Sequence, residues 1–231
     1  MSNDDRYEIK FVLDEGKFTE FIHWMYNSTS VRPVHRSRYV NSLYYDDVSY
    51  QSVRDNLAGI SDRKKMRLRW YHDDNPSEIS SLALEFKFRK GRLGHKESYA
   101  LPNLQSTLLN LDLGSIYDHI VDEIGMASGV NYLIDDCYFP VLHVSYLREY
   151  YEDVNGLRIT LDREINFHHV VPYFRLLEDI SSPYPLSVAE LKFPPEIKPN
   201  VANSLRGLHL TPKRHSKYLV GLAGFGQAVY I

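Results

Sequence analysis

Cysteine is almost absent from this chain. Cys137 is the only one in 231 residues, which excludes an internal disulfide framework and a cysteine-ligated structural zinc site, and fits a reducing, cytoplasmic setting. In "DDCYFP" the neighbouring carboxylates disfavour a thiolate, so Cys137 reads as a buried structural thiol and not as a nucleophile. Long apolar runs are lacking too. No stretch approaches the ~20 residues needed to span a bilayer, and "MSNDDRYEIKF" shows no basic segment leading into an apolar one, so no secretory signal is expected. Positive charge is not in excess: the net charge of -3 and pI near 6.4 argue against a surface coated for nucleic acid, so any cationic site must be concentrated. Neither a Walker A motif nor a dinucleotide glycine fingerprint is present, and "GLAGFG" near the carboxyl end, with no preceding strand, reads as a helix terminus. The adjacent His168 and His169 would face opposite sides of a strand, which suits surface or structural roles better than a shared metal.

What the chain does have is enough apolar residue, 43%, for a sizeable core, and no shift in composition that invites a cut, so residues 1–231 are expected to form a single domain. Eighteen tyrosines suit half-buried strands with a polar tip. One spelling recurs three times: "YEIKF" with Glu8 and Lys10, "LEFKF" with Glu85 and Lys87, and "AELKF" with Glu190 and Lys192. The intervals are too irregular for a repeat array. Period two places each acid and its lysine on one strand face, opposite an apolar one.

Extended to neighbouring segments, the same period collects Lys65, Arg67 and Arg69 against Met66, Leu68 and Trp70, adds Arg89 to Glu85 and Lys87, and sets Arg158, Thr160 and Asp162 against Leu157, Ile159 and Leu161. Helical spacing appears at 15–27, at 104–127 with a break near Gly114, at about 197–208 and at 215–223, with a short turn at 49–56. Many strands with a few helices predict an α+β antiparallel architecture. If the sheet closed with its charged sides inward, the lumen would be a basic tube holding a minority of carboxylates. Unpaired buried charges cost several kcal/mol each, so such a tube needs contents. A polyanion with a divalent metal satisfies the inventory: arginine forks grip phosphate oxygens, lysines add point charge, and carboxylates hold a hard cation. The alternative is that these groups pair with one another on a wet outer face.

The three Glu-x-Lys strands, "LYYDD", "RLRWY", "YLREYY", "LRITLD" and above all "RHSKYLVG" resemble, in order and from about residue 6 to 222, the VTC domain, the polyphosphate polymerase branch of the triphosphate tunnel metalloenzymes. That resemblance implies an eight-stranded antiparallel closed β-barrel, a triphosphate tunnel with flanking helices. It also implies transfer of the γ-phosphoryl group of ATP onto a growing inorganic polyphosphate chain with a divalent metal, Mn2+ or Mg2+. Lys10, Arg67, Arg69, Lys87, Arg148, Arg158 and Lys192 fall at the family's phosphate-binding places, Lys217, Ser216, Tyr146 and Lys96 match further contacts, and Lys65 and Arg89 join them on the charged faces. Glu190 matches the metal-binding glutamate, with Glu8, Glu85 and Asp162 as auxiliary acids. The hydrolase and cyclase relatives begin Glu-x-Glu-x-Lys, whereas Arg6 stands two before Glu8 here, which favours the polymerase branch. The competing expectations are a tunnel hydrolase of inorganic or nucleoside triphosphate, and a non-catalytic polyphosphate-binding module serving a membrane-protein partner.

Overall fold

The computed structural model of the chain describes residues 6–90, 93–125, 138–178 and 180–227. Strands β1 (Tyr7–Leu13), β2 (Arg32–Asp46), β3 (Arg63–His72), β4 (Ser80–Lys90), β5 (Leu93–Ala100), β6 (Phe139–Glu152), β7 (Arg158–His169), β8 (Ile180–Pro183) and β9 (Ser187–Phe193) are joined by helices α1 (Glu15–Ser28), α2 (Gln51–Leu57), α3 (Pro102–Thr107), α4 (Ile116–Gly125), α5 (Lys198–Ser204) and α6 (Lys217–Gly224). Eight strands follow the order β1-β9-β7-β6-β2-β3-β4-β5, and the short β8 adds to β7. The pairs β1–β9, β7–β9, β3–β4 and β4–β5 are antiparallel. The α+β antiparallel class read from periodicity is therefore the observed one, with one short strand more than the eight expected. No helix among the described residues is long and apolar enough to cross a membrane. Cys137 lies outside the described residues.

The chain divides into two compact units, the first of residues 1–39, 146–165 and 183–216, the second of 40–145, 166–182 and 217–231. In the first, Phe11 and Leu13 of β1, Ile159 and Leu161 of β7, and Ala189, Leu191 and Phe193 of β9 form an apolar face covered by α1. Helix α1 starts at Asp14, whose carboxylate accepts the Lys17 backbone N–H at 2.9 Å. Its Phe21, Trp24 and Met25, spaced three and four apart, are the residues it buries.

The second unit is built the same way. Met66, Leu68 and Trp70 of β3, Leu82, Leu84 and Phe86 of β4, and Leu43 and Tyr45 of β2 are covered by Ile116, Tyr117, Ile120 and Ile124 of α4. The predicted break at Gly114 lies between α3 and α4, where the Gly114 N–H donates to Pro172 O at 2.8 Å and a Cβ would come within 3.2 Å of that oxygen. Fully burying side chains of this size stabilises by about 1.5–3 kcal/mol each. In both units the apolar alternation is thus consumed by helices, which leaves the opposite face of β1, β3, β4, β7 and β9 as the charged one.

Candidate functional site

The repeated Glu-x-Lys spelling has a simple structural cause on β1 and β9. Antiparallel pairing sets residue i+2 of one strand against j−2 of the other, so two copies laid side by side match each acid with a lysine. The register does this: Glu8 pairs with Lys192 and Lys10 with Glu190. The side chains complete a four-membered ring of charge. Lys10 Nζ is 2.8 Å from Glu8 Oε1 and 3.4 Å from Glu190 Oε2, and Lys192 Nζ is 2.6 Å from Glu190 Oε1 and 3.9 Å from Glu8 Oε2.

Strand β7 extends the two rows, since Arg158 pairs with Lys192 and Thr160 with Glu190. Arg158 Nε also reaches Glu152 at 3.0 Å. Asp162, almost wholly buried, accepts both Nε (2.6 Å) and Nη2 (2.8 Å) of Arg148 from β6, whose guanidinium lies 5.1 Å from the centre of the Tyr146 ring. Burial works against the charged forms of Glu190 and Lys10, but their partners overcome it. Lys10, Lys192 and Arg148 hold Glu190 well below the usual carboxylate range, and Glu190 and Glu8 raise Lys10 above the usual ammonium range. In this unit acids and bases are nearly balanced.

The charged face of the second unit is not balanced. Across β3, β4 and β5 the in-register rows read Arg67–Glu85–Ser98, then Lys65–Lys87–Lys96, then Arg63–Arg89–Gly94. With Arg69, this one face carries seven cationic residues and a single acid, Glu85. Glu85 accepts Arg67 Nε at 2.9 Å and Nη2 at 2.6 Å on one oxygen and Lys96 Nζ at 3.1 Å on the other, with Arg69 Nη1 at 3.7 Å. Desolvation would raise its pKa, yet the arginines and Lys96 bring it down to about 2.

Three lysines directly opposite one another on adjacent strands repel. Lys65 is turned over the Tyr218 ring at 5.4 Å. The third Glu-x-Lys copy thus differs from the other two: its glutamate meets an arginine and its lysine meets lysines. At the bulge between Arg69 and Tyr71, Ser81 takes the left-handed backbone conformation at φ 54, which ends the alternation beyond Arg69.

Lys217 opens α6, directly after Ser216. The first turn of this helix is anchored by Tyr218, whose hydroxyl donates to the buried Asp46 Oδ2 at 2.6 Å and whose ring stacks on Tyr44 at 4.8 Å. Asp46 Oδ1 meanwhile accepts the Ser52 N–H at 3.1 Å in the first turn of α2. The helix lies close against the sheet at Gly221, where a Cβ would come within 2.7 Å of Leu142 and Phe167.

The predicted residues therefore fall in two groups. Glu8, Lys10, Tyr146, Arg148, Arg158, Asp162, Glu190 and Lys192 belong with Ser216 to the first unit, and Lys65, Arg67, Arg69, Glu85, Lys87, Arg89, Lys96 and Lys217 to the second. Sequence reading passed over Arg63, although period two from Lys65 reaches it. It also passed over Asp46 and Tyr218, whose pairing across 172 positions leaves no local signal.

A family model described as "VTC domain" matches residues 5–225. The chain belongs to the VTC domain family. No curated protein matches it. Solved structures are similar in fold to this VTC domain. The PH1819 protein from Pyrococcus horikoshii OT3 is 14% identical, over 94% of this chain and 99% of that one, with a TM-score of 0.53. HpAC1 from Hippeastrum, put forward as an adenylyl cyclase and described as having a dominant triphosphatase activity, is 18% identical over 94% and 95%, with a TM-score of 0.51.

The carboxylates of this VTC domain differ in their fitness for a divalent metal. Glu8 and Glu190 converge on one ammonium, Lys10 Nζ, which stands where a cation between two carboxylates would stand. No cluster of three or more metal-binding side chains exists among the described residues. Two carboxylates suffice for Mg2+ or Mn2+ when phosphate oxygens and water complete the shell, so this pair fits the metal. Asp162 and Glu85 are gripped by arginine forks instead, which suits them to positioning Arg148 and Arg67.

Proposed function

We propose that this chain, residues 1–231 acting as one VTC domain, is a metal-dependent phosphotransferase that moves the γ-phosphoryl group of ATP onto a growing inorganic polyphosphate chain in the cytoplasm. The observation that carries this reading is the Lys65–Lys87–Lys96 row, flanked by Arg67 on one side and by Arg63 and Arg89 on the other. Like charges held in register on adjacent strands oppose the fold, and a condensed phosphate, which carries negative charge at short, regular intervals, would offset that repulsion.

The residues divide the work by type. Arg67 and Arg69, oriented by Glu85, and Arg148, oriented by Asp162, present planar forks to phosphate oxygens, while Lys65, Lys87, Lys96, Lys10, Lys192 and Lys217 contribute point charge. Arg89, Arg158, Tyr146 and Ser216 complete the contacts. Glu8 and Glu190 would hold the divalent cation, whose contribution is to neutralise charge developing on phosphate oxygens. An acceptor phosphate is already anionic, so positioned charge and alignment are sufficient and no strong general base is required. Phosphate entering beside Lys10 and Lys192 would compete with Glu190 for their ammonium groups and release that carboxylate to the metal.

Incubation with ATP and Mn2+, followed by chain-length analysis of the products, tests the reading. Long polymer is the expected product. Orthophosphate alone would assign the chain to triphosphate hydrolysis, and binding of polyphosphate without turnover would make it a binding module.

A further inference from the structure

The first half of β2 is exposed and basic. Residues 32–38, "RPVHRSR", hold Arg32, His35, Arg36 and Arg38 with no acid from residue 30 to residue 45. The strand is fifteen residues long and only its second half is buried. The exposed half meets the charged face of the first unit at Tyr150 of β6. Arg38 Nε donates to the Tyr150 hydroxyl at 3.2 Å and its guanidinium lies 5.3 Å from the ring centre, while the His35 ring meets the same ring edge-on at 5.7 Å. Tyr150 is two residues beyond Arg148 and shares its strand face, about 7 Å further along.

Guanidinium and tyrosine therefore alternate from Tyr146 and Arg148 to Tyr150 and Arg38. At roughly 3.3 Å per residue, Arg36 and Arg32 carry the positive charge about another 7 and 20 Å along β2. That length exceeds what three condensed phosphates can span.

Resting on the functional reading above, we infer that residues 32–38 of β2 form a second station for linear polyphosphate, one that holds phosphates beyond the first three and makes affinity depend on chain length. Arg38 is the link, fixed on Tyr150 in line with Arg148. Arg36 and Arg32 are the outer contacts, exposed to solvent on long side chains, which suits a chain that must slide and not lodge.

The test compares tripolyphosphate with chains of several tens of phosphates on the wild type and on an Arg32→Gln/Arg36→Gln variant, by titration calorimetry at two salt concentrations. Both positions are exposed and lie outside the charged rows. An unchanged melting temperature checks that the variant folds. The expected result is a loss of about tenfold in affinity for the long chain, a salt dependence shallower by roughly one exponent per arginine removed, and an unchanged affinity for tripolyphosphate. Equal loss for both ligands, or loss for neither, would overturn the inference while leaving the functional reading intact. A loss confined to a single-stranded oligonucleotide of matched charge would overturn it in favour of nucleic acid. A wild type that binds neither phosphate compound would overturn the functional reading and this inference with it.

Discussion

Glu85 is the one acid on the cationic face of β3, β4 and β5, and replacing it by glutamine exposes what that face is for. The Glu85 carboxylate is buried and takes hydrogen bonds from Arg67 and Lys96. Its pKa falls from the ordinary 4.5 to about 2. At about 1.4 kcal/mol per pKa unit the depression corresponds to roughly 3 kcal/mol of favourable interaction with the ionised form. Lys96 is half exposed, so solvent screening trims this to about 2 kcal/mol for the Glu85→Gln variant at neutral pH.

Because the folded pKa is depressed, this stability is complete above about pH 4.5 and is lost as pH falls toward 2, so wild type and variant converge in acid. Urea denaturation monitored by tyrosine and tryptophan fluorescence reads the difference. Addition of tripolyphosphate should shrink it, since a bound polyanion takes over the neutralisation of Arg67, Arg69 and Lys96. A variant as stable as the wild type at neutral pH, or one destabilised equally with and without tripolyphosphate, would refute the reasoning.

Asp162→Asn should destabilise by about 3–5 kcal/mol, because it leaves the Arg148 guanidinium without its carboxylate in a buried setting; adding Arg148→Met should recover much of the loss in the same denaturation assay. Gly221→Ala should cost roughly 1–3 kcal/mol and lower the melting temperature, since the new methyl would meet Leu142 and Phe167 at 2.7 Å. Glu190→Gln should weaken Mn2+ binding in calorimetry of the ternary mixture with tripolyphosphate by about tenfold, while tripolyphosphate binding in the presence of EDTA is retained or tightened, because Lys10 and Lys192 are then less engaged.

Much of this was legible in the order of residues. Period two sorted Met66, Leu68 and Trp70 from Lys65, Arg67 and Arg69, and the cores confirm that the apolar set lies under helices. The spacing of Phe18, Phe21, Ile22 and Met25 was enough to place α1, though not to show that Trp24 is buried with Phe21 and Met25, and the break at Gly114 fell where α3 gives way to α4. Strand period reveals a face but not a partner. It could not say that "YEIKF" pairs with "AELKF" while "LEFKF" pairs with "KMRLR", so the balanced ring in one unit and the lysine row in the other were invisible. Strand β8 escaped notice because all four of its residues are exposed and none alternates with an apolar neighbour. The Asp46–Tyr218 hydrogen bond and the Arg38–Tyr150 contact join residues more than a hundred positions apart, and nothing local in either segment announces them.

Calorimetric titration of tripolyphosphate into the wild type and into Lys87→Met tests the central claim most directly. Lys87 sits between Lys65 and Lys96 in register, so its neutral replacement removes one of three aligned charges and should weaken tripolyphosphate binding by about tenfold. A wild type that takes up no tripolyphosphate, or a Lys87→Met variant that binds it as tightly as the wild type, would contradict the account.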